Sequence, residues 1–145
     1  MLAQYLSTER ILLNIDGHSY RDILSKMLEK SSVIDVATTV DKILEREKIM
    51  PTALGKGIFL PRVVQDSIQR TEVHIIINHN GLVFDDYGSS VANVIMLFVF
   101  SKKDDHAALL AQSLRLLNDD SLRSDLLHCR KPGDVIKAVS DWEEE

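Results

Sequence analysis

Ten consecutive residues, VANVIMLFVF at 91–100, limit the folds open to this chain more than any other stretch. Apart from Asn93 every one is apolar, so a strand here has no face that prefers water. Such a strand belongs at the centre of a sheet, covered by helices on both sides. The longest unbroken apolar run, VIMLFVF at 94–100, falls far short of the ~20 residues a membrane-spanning helix needs. The segment therefore predicts the middle of a layered α/β domain.

The flanking sequence supplies the layers. RILLNI at 10–15 reads as a first strand, and DGHSYRDILSKMLEK as a turn followed by a helix. In that helix Ile23 and Met27, with Leu24 and Leu28, form an apolar stripe, and Ser19 with Asp22 resembles a capping box. DVATTVDKILEREK predicts a second helix with Val36, Val40, Ile43 and Leu44 inward, stopped near Pro51. GIFLPRVV and EVHIIINHNGLVF read as strands, and Asn80-Gly81 offers a tight turn. Three further helices are expected in DDHAALLAQSLRLL, DSLRSDLLHC and PGDVIKAVSDW, the last opening on a proline. Residues 1–145 are expected to form one α/β domain, with a mixed sheet of about five strands and helices on both faces.

Composition narrows the chemistry. The net charge of -5 leaves no excess of cations for nucleic acid. Cys129 is the only cysteine, so neither an internal disulfide nor a thiolate zinc cluster is expected, which fits a reducing cytoplasm. MLAQYLSTERILL lacks the basic segment and apolar core of a signal peptide. No cofactor is expected.

Among the histidines, His74 and His79 are five apart on a strand and should project to opposite faces. His128 adjoins Cys129 on a helix, where neighbours diverge, and His18 sits in a turn. None has zinc-ligand spacing, and no metal is expected. Cys129, on an apolar helix stripe, reads as a buried structural thiol. His106 differs: it opens a helix and heads the series Leu109, Leu110, Leu114, so it should point toward the sheet. It has two readings, a half-buried histidine bonded to Asp104 or a backbone carbonyl, and a group facing an anion. Arg46 likewise either complements its helix dipole on the surface or reaches toward an anion near residue 62.

EREKIMPTALGKGIFLP, DDHAALLAQSLRLL and KPGDVIKAV, in this order and spacing, resemble the fructose/mannitol-type enzyme IIA domain of the bacterial phosphoenolpyruvate-dependent phosphotransferase system, including its nitrogen-regulatory branch. The family pattern is Arg-Glu, a Thr-x-Leu-Gly-x-Gly turn, an apolar strand ending in Pro-His, and a later His-Leu-x-x-Leu helix. The resemblance covers nearly the whole chain and implies a cytoplasmic phosphoryl carrier: the histidine after the proline receives the group from the histidine phosphocarrier protein. It assigns Arg46 to the supporting arginine position, His106 to the second active-site histidine and Arg62 to the acceptor position itself.

Arginine cannot do the acceptor's work. Imidazole is a neutral nucleophile near pH 7, whereas a guanidinium stays charged with delocalised lone pairs. The expectation is a catalytically inactive, non-phosphorylatable regulatory module that binds a transporter, sensor kinase or transcription regulator, and the phosphocarrier protein as a further partner. The alternatives are a carrier that uses His106 or another histidine, and an anion sensor in which Arg46, Arg62 and His106 converge. Arg62 also has an ordinary reading, an ion pair with Asp85 or Asp86. YGSSV at 87–91 departs from the family's Asp-Gly-x-x-Val phrasing, Lys102-Lys103 and the EEE end read as solvated, and Val63-Val64 offers an apolar edge for a homodimer.

Overall fold

The computed structural model describes residues 1–88 and 90–145. Strand β5 (Ala92–Phe100) is central, as its composition requires. It pairs antiparallel with β4 (Glu72–Leu82), placing Ile76 opposite Ile95 and His74 opposite Leu97. Beyond β4 lies β1 (Ile11–Leu13), parallel to it. The other side of β5 carries β2 (Ile58–Phe59) and β3 (Arg62–Val64), both parallel to β5. The expected mixed five-stranded sheet is present, although GIFLPRVV forms two short strands rather than one. Pro61, which has no N–H for the ladder, separates them.

Strand alternation sorts the core. Val73, Ile75, Ile77, Val94, Met96, Phe98 and Phe100 pack on one face. They meet α3 (His106–Leu117), α4 (Asp120–Leu127) and α5 (Pro132–Glu143). Ile76, Ile95, Leu97 and Val99 pack on the other, against α1 (Tyr20–Met27) and α2 (Val36–Ile49). No residue from Val94 to Phe100 is more than 2% exposed, and each large side chain so buried contributes ~1.5–3 kcal/mol. Asp35, Asp105 and Asp119 cap α2, α3 and α4 by accepting from the N–H of Thr38, Ala108 and Leu122. Ser19 accepts from the N–H of Asp22, one half of the expected capping box.

Asn80-Gly81 does not reverse the chain. Ile77 pairs with Val94 and Leu82 with Ala92, so the intervening residues of β4 bulge out. Gly81, at φ 84°, takes the left-handed conformation there, and the Asn78 side chain accepts from its N–H at 2.9 Å. Asn93 donates to the Asn78 carbonyl at 3.1 Å. Asn-Gly signals positive φ, which a bulge uses as readily as a hairpin.

Other expectations also change. Val63 is 8% exposed and belongs to the core, leaving Val64 as the exposed member of the proposed dimer edge. Helix α4 stops at Leu127, so His128 caps it and Cys129 lies just beyond, half-buried. Glu143 is not solvated: its carboxylate accepts from the N–H groups of Leu2 and Ala3 at 2.7 and 2.9 Å. Ser89 of YGSSV lies outside the described residues.

Candidate functional site

The approach to Arg62 is fixed from the backbone. Gly55, Lys56 and Gly57 all have positive φ, at 81°, 56° and 76°. The Gly57 carbonyl accepts from the N–H groups of Asn93 and Val94 at 2.8 and 2.9 Å, docking the turn onto β5. A Cβ on Gly57 would lie 2.3 Å from Oδ1 of Asn93, so this close approach requires glycine. The Leu60 N–H donates to Thr52 at 3.1 Å, and the Pro61 carbonyl accepts from Phe98 at 3.0 Å. Arg62 follows as the first residue of β3. Because Val63 enters the α1/α2 core, alternation sends Arg62 toward the opposite face, where α3 begins.

There Arg46 of α2, Arg62 of β3 and His106 of α3 line one cavity of about 330 Å³. The remaining walls are Val63, Val64, Phe100, Ala107 and Leu110, none of them a carboxylate. His106 donates from Nε2 to the Ser101 carbonyl at 2.7 Å, since a carbonyl only accepts. Its ring stacks on Phe100 at 4.2 Å and 18°, and Phe100 stacks in turn on Phe98 at 5.3 Å. The carbonyl-bonded reading of His106 holds, with Ser101 as the acceptor. Asp104 instead accepts from the N–H and hydroxyl of Thr71. Helix α3 buries Leu109, Ser113, Leu116 and Leu117, while Leu114 is 44% exposed, so its core stripe is rotated from the expected one.

Burial pushes the Arg62 guanidinium below its ordinary value, the like charge of Arg46 pushes the same way, and Glu47 opposes them. Neither arginine forms an ion pair or hydrogen bond among the described residues. The alternative reading, an Arg62 bridge to Asp85 or Asp86, is not formed. Asp86 instead holds the start of α1, accepting from the Ser19 hydroxyl and the N–H groups of Tyr20 and Arg21. Asp85 donates its N–H to the His18 carbonyl at 2.7 Å.

Three groups escaped the sequence reading. Glu47, buried beside exposed Arg46, accepts from the Thr52 N–H at 2.9 Å, the Thr52 hydroxyl, and the Tyr87 hydroxyl at 2.6 Å. Burial raises the Tyr87 hydroxyl and this bond raises it further. Glu72, also buried, accepts from Ser31, Ser32 and His74. Burial pushes its carboxyl up, but these bonds outweigh it and hold the pKa at about 2. His74 and His79 do fall on opposite faces, but His79 approaches His128, which caps α4, their rings 5.2 Å apart. Among the described residues no group of three or more His, Cys, Asp or Glu gathers for a metal. Cys129 has its thiol raised by burial and then by Asp134 and Asp125, the opposite of an activated nucleophile.

A larger hollow of about 750 Å³ beside α2 is lined by Arg21, Asp41, Glu47 and Tyr87 among others. Arg21 is already paired with Asp41 at 2.7 Å, and the hollow mixes the cations Lys42 and Lys48 with the carboxylates Glu45, Glu47 and Asp86, unlike the carboxylate-free smaller cavity.

The profile of the family described as "Phosphoenolpyruvate-dependent sugar phosphotransferase system, EIIA 2" matches residues 4–142. The chain belongs to the EIIA 2 family. This EIIA 2 domain is 25% identical over 121 residues to the fructose-specific EIIA component of Haloferax volcanii, covering 82% of the chain and 79% of that protein. It is 25% identical over 104 residues to the mannitol-specific EIICBA component of Vibrio cholerae, covering 70% of the chain but only 16% of that much longer protein. The fold is similar to that of nitrogen regulatory protein IIA-Ntr from Neisseria meningitidis. The TM-score is 0.79 at 18% identity, covering 95% and 98% of the two chains. It is also similar to Escherichia coli IIA mannitol, solved in complex with phosphorylated IIB mannitol. Here the TM-score is 0.74 at 21% identity, covering 94% and 97%. These likenesses bear out the expected family and the helix-flanked mixed sheet. No helix among the described residues is long and apolar enough to cross a membrane.

Proposed function

We propose that this EIIA 2 domain is a cytoplasmic regulatory module that binds protein partners and does not accept a phosphoryl group at position 62. One observation carries the reading: the side chain that follows Pro61 and enters the cavity beside Arg46 and His106 is a guanidinium. That is the position which the sequence pattern assigns to the acceptor imidazole. A guanidinium has no nucleophilic lone pair at neutral pH, and its charge is opposite to that of a phosphohistidine. A partner therefore meets a permanently cationic site in place of a switchable one.

The partner classes are the transporter, sensor kinase and transcription regulator, together with the phosphocarrier protein. The complex of IIA mannitol with phosphorylated IIB supports protein docking as the mode of action for this fold. The test is incubation with phosphoenolpyruvate, enzyme I and the phosphocarrier protein. No stable label is expected on this chain, and stoichiometric labelling would defeat the proposal.

A second reading, transfer through His106, rests on one specific feature. With Nε2 committed to Ser101, Nδ1 has no hydrogen-bond partner among the described residues. Transfer would form an Nδ1–P bond as the donor's N–P bond breaks. Its signature is an acid-labile, base-stable label that disappears in His106→Ala.

A further inference from the structure

We infer that His79 and His128 form a two-imidazole site for a divalent transition-metal ion of the zinc class. The site lies apart from the arginine-lined cavity. His79 sits in the β4 bulge, between the pairs Ile77–Val94 and Leu82–Ala92 near the start of β5, whereas Arg62 pairs with Phe98 near its end.

Two elements bring the rings together. A bulge re-aims the side chains it carries, and this one turns position 79 toward the end of α4. The His79 N–H donates to Oδ1 of Asn14 at 2.8 Å, which fixes the backbone there. His128 caps α4, its own N–H donating to the Asp125 carbonyl at 3.2 Å. The ring centres are 5.2 Å apart, with the planes at 68° to each other.

The hydrogen bonds decide which nitrogens are free. Nδ1 of His79 meets the Leu127 carbonyl at 3.1 Å, and Nδ1 of His128 meets the Ser124 carbonyl at 2.7 Å. A carbonyl only accepts, so each neutral ring carries its proton on Nδ1 and keeps a lone pair on Nε2. Neither Nε2 has a hydrogen-bond partner among the described residues. An Nδ1–H held by a backbone carbonyl is a usual support for a metal-ligating histidine, because it fixes the tautomer and makes the other nitrogen more basic. Here it occurs on two neighbouring rings.

The spacing fits one ion. Zinc about 2.0–2.1 Å from each Nε2, with a tetrahedral angle between them, sets two ring centres about 5 Å apart. The angle between the planes is compatible, since each ring can take any rotation about its metal–nitrogen bond. Among the described residues no group of three or more His, Cys, Asp or Glu forms, so water fills the remaining positions and the ion is exchangeable.

The surroundings select the kind of ion. Imidazole nitrogen suits zinc, copper and nickel, whereas magnesium and calcium prefer oxygen. His128 borders a hollow of about 510 Å³ in which Asp119, Asp125, Asp134, Asp141 and Glu145 outnumber Lys137, a field that attracts cations. The end of α4, where His128 sits, adds the partial negative charge of a helix C-terminus. A bound ion would staple the β4 bulge to α4, reinforcing the contact between His79 and Leu127.

The test is titration of the full chain with zinc chloride at about pH 7.5, where imidazole ligands are deprotonated, followed by calorimetry and by the 15N shifts of the imidazoles. About one zinc per chain is expected, with the Nε2 resonances of His79 and His128 moving together and those of His18, His74 and His106 unmoved. His79→Gln and His128→Gln should each keep a dispersed native spectrum and weaken binding at least about 10-fold. Cys129→Ser should bind as the wild type does. Zinc should raise the Tm of the wild type and leave that of the doubly substituted chain unchanged. No movement of either Nε2 at about 1 mM zinc, affinity unchanged in both histidine variants, loss of binding in Cys129→Ser, or an equal response to magnesium would overturn the inference.

Discussion

Arg46, in the last turn of α2, and Arg62, at the first position of β3, share a cavity with no carboxylate in its lining. A sheet edge thus brings together two cations separated by 15 residues in sequence. If position 62 is the acceptor position, as proposed, an imidazole there should supply acceptor chemistry. Arg62→His is expected to take up about one phosphoryl group per chain from the phosphorylated carrier, because imidazole is nucleophilic near neutrality. Gel-resolved radiolabel on variant and wild type checks this.

His106 should support that restored reaction without being its acceptor. In Arg62→His, the further change His106→Ala removes a cavity donor and should slow labelling by about 100-fold while leaving the site of labelling unchanged. The measurement is a quenched-flow time course, with the phosphorylated residue identified by mass spectrometry.

Asp86 should matter to helix α1 and not to the cavity. Its carboxylate accepts from Ser19, Tyr20 and Arg21 at the helix start. Asp86→Ala should therefore cost about 1–2 kcal/mol in urea unfolding. Titration with the phosphorylated carrier should give the wild-type affinity, whereas a bridge from Asp86 to Arg62 would make the variant bind differently.

The buried Glu72 carboxyl makes stability depend on acid. Its folded pKa is about 2 against an ordinary 4.5, so its contribution is complete above 4.5 and is lost as pH falls toward 2. A depression of this size corresponds to about 3 kcal/mol. Glu72→Gln should lower stability at pH 7 by about that amount, and the loss of stability between pH 5 and pH 2 should become shallower. Urea unfolding of both proteins across that range provides the check.

Gly57→Ala combines a left-handed backbone with a collision. At φ 76° the new Cβ would meet Asn93 Oδ1 at 2.3 Å, and Asn93 is tethered by its bond to Asn78. A loss of about 2–3 kcal/mol is expected, read as a lower Tm by calorimetry.

The layered fold was legible because β5 is apolar on both faces and the helices carry aspartate caps. Arg46 and Arg62 were legible through the sequence pattern around the Gly-x-Gly turn and His106 through the DDHAALLAQSLRLL helix, and all three line one cavity. What escaped was long-range or context-dependent. The irregular segment of β4 follows from Asn78 and Asn93 side-chain bonds that satisfy displaced backbone groups, which Asn80-Gly81 alone cannot announce. Glu47 and Glu72 are ordinary helix and strand letters until Thr52, Tyr87, Ser31 and Ser32 arrive around them. His79 and His128 meet through tertiary packing across a sequence separation that no spacing rule covers.

The division of GIFLPRVV by Pro61 also shapes the outer side of the sheet. One flank of β5 is occupied by pieces of two and three residues, and β1 at the opposite margin has three. Neither margin offers a long, flat row of backbone donors and acceptors onto which a foreign strand could align. Lateral growth of the sheet from copy to copy is thereby discouraged, even though its centre is among the most apolar segments of the chain. The proline that presents Arg62 also protects the sheet from fibrous self-association.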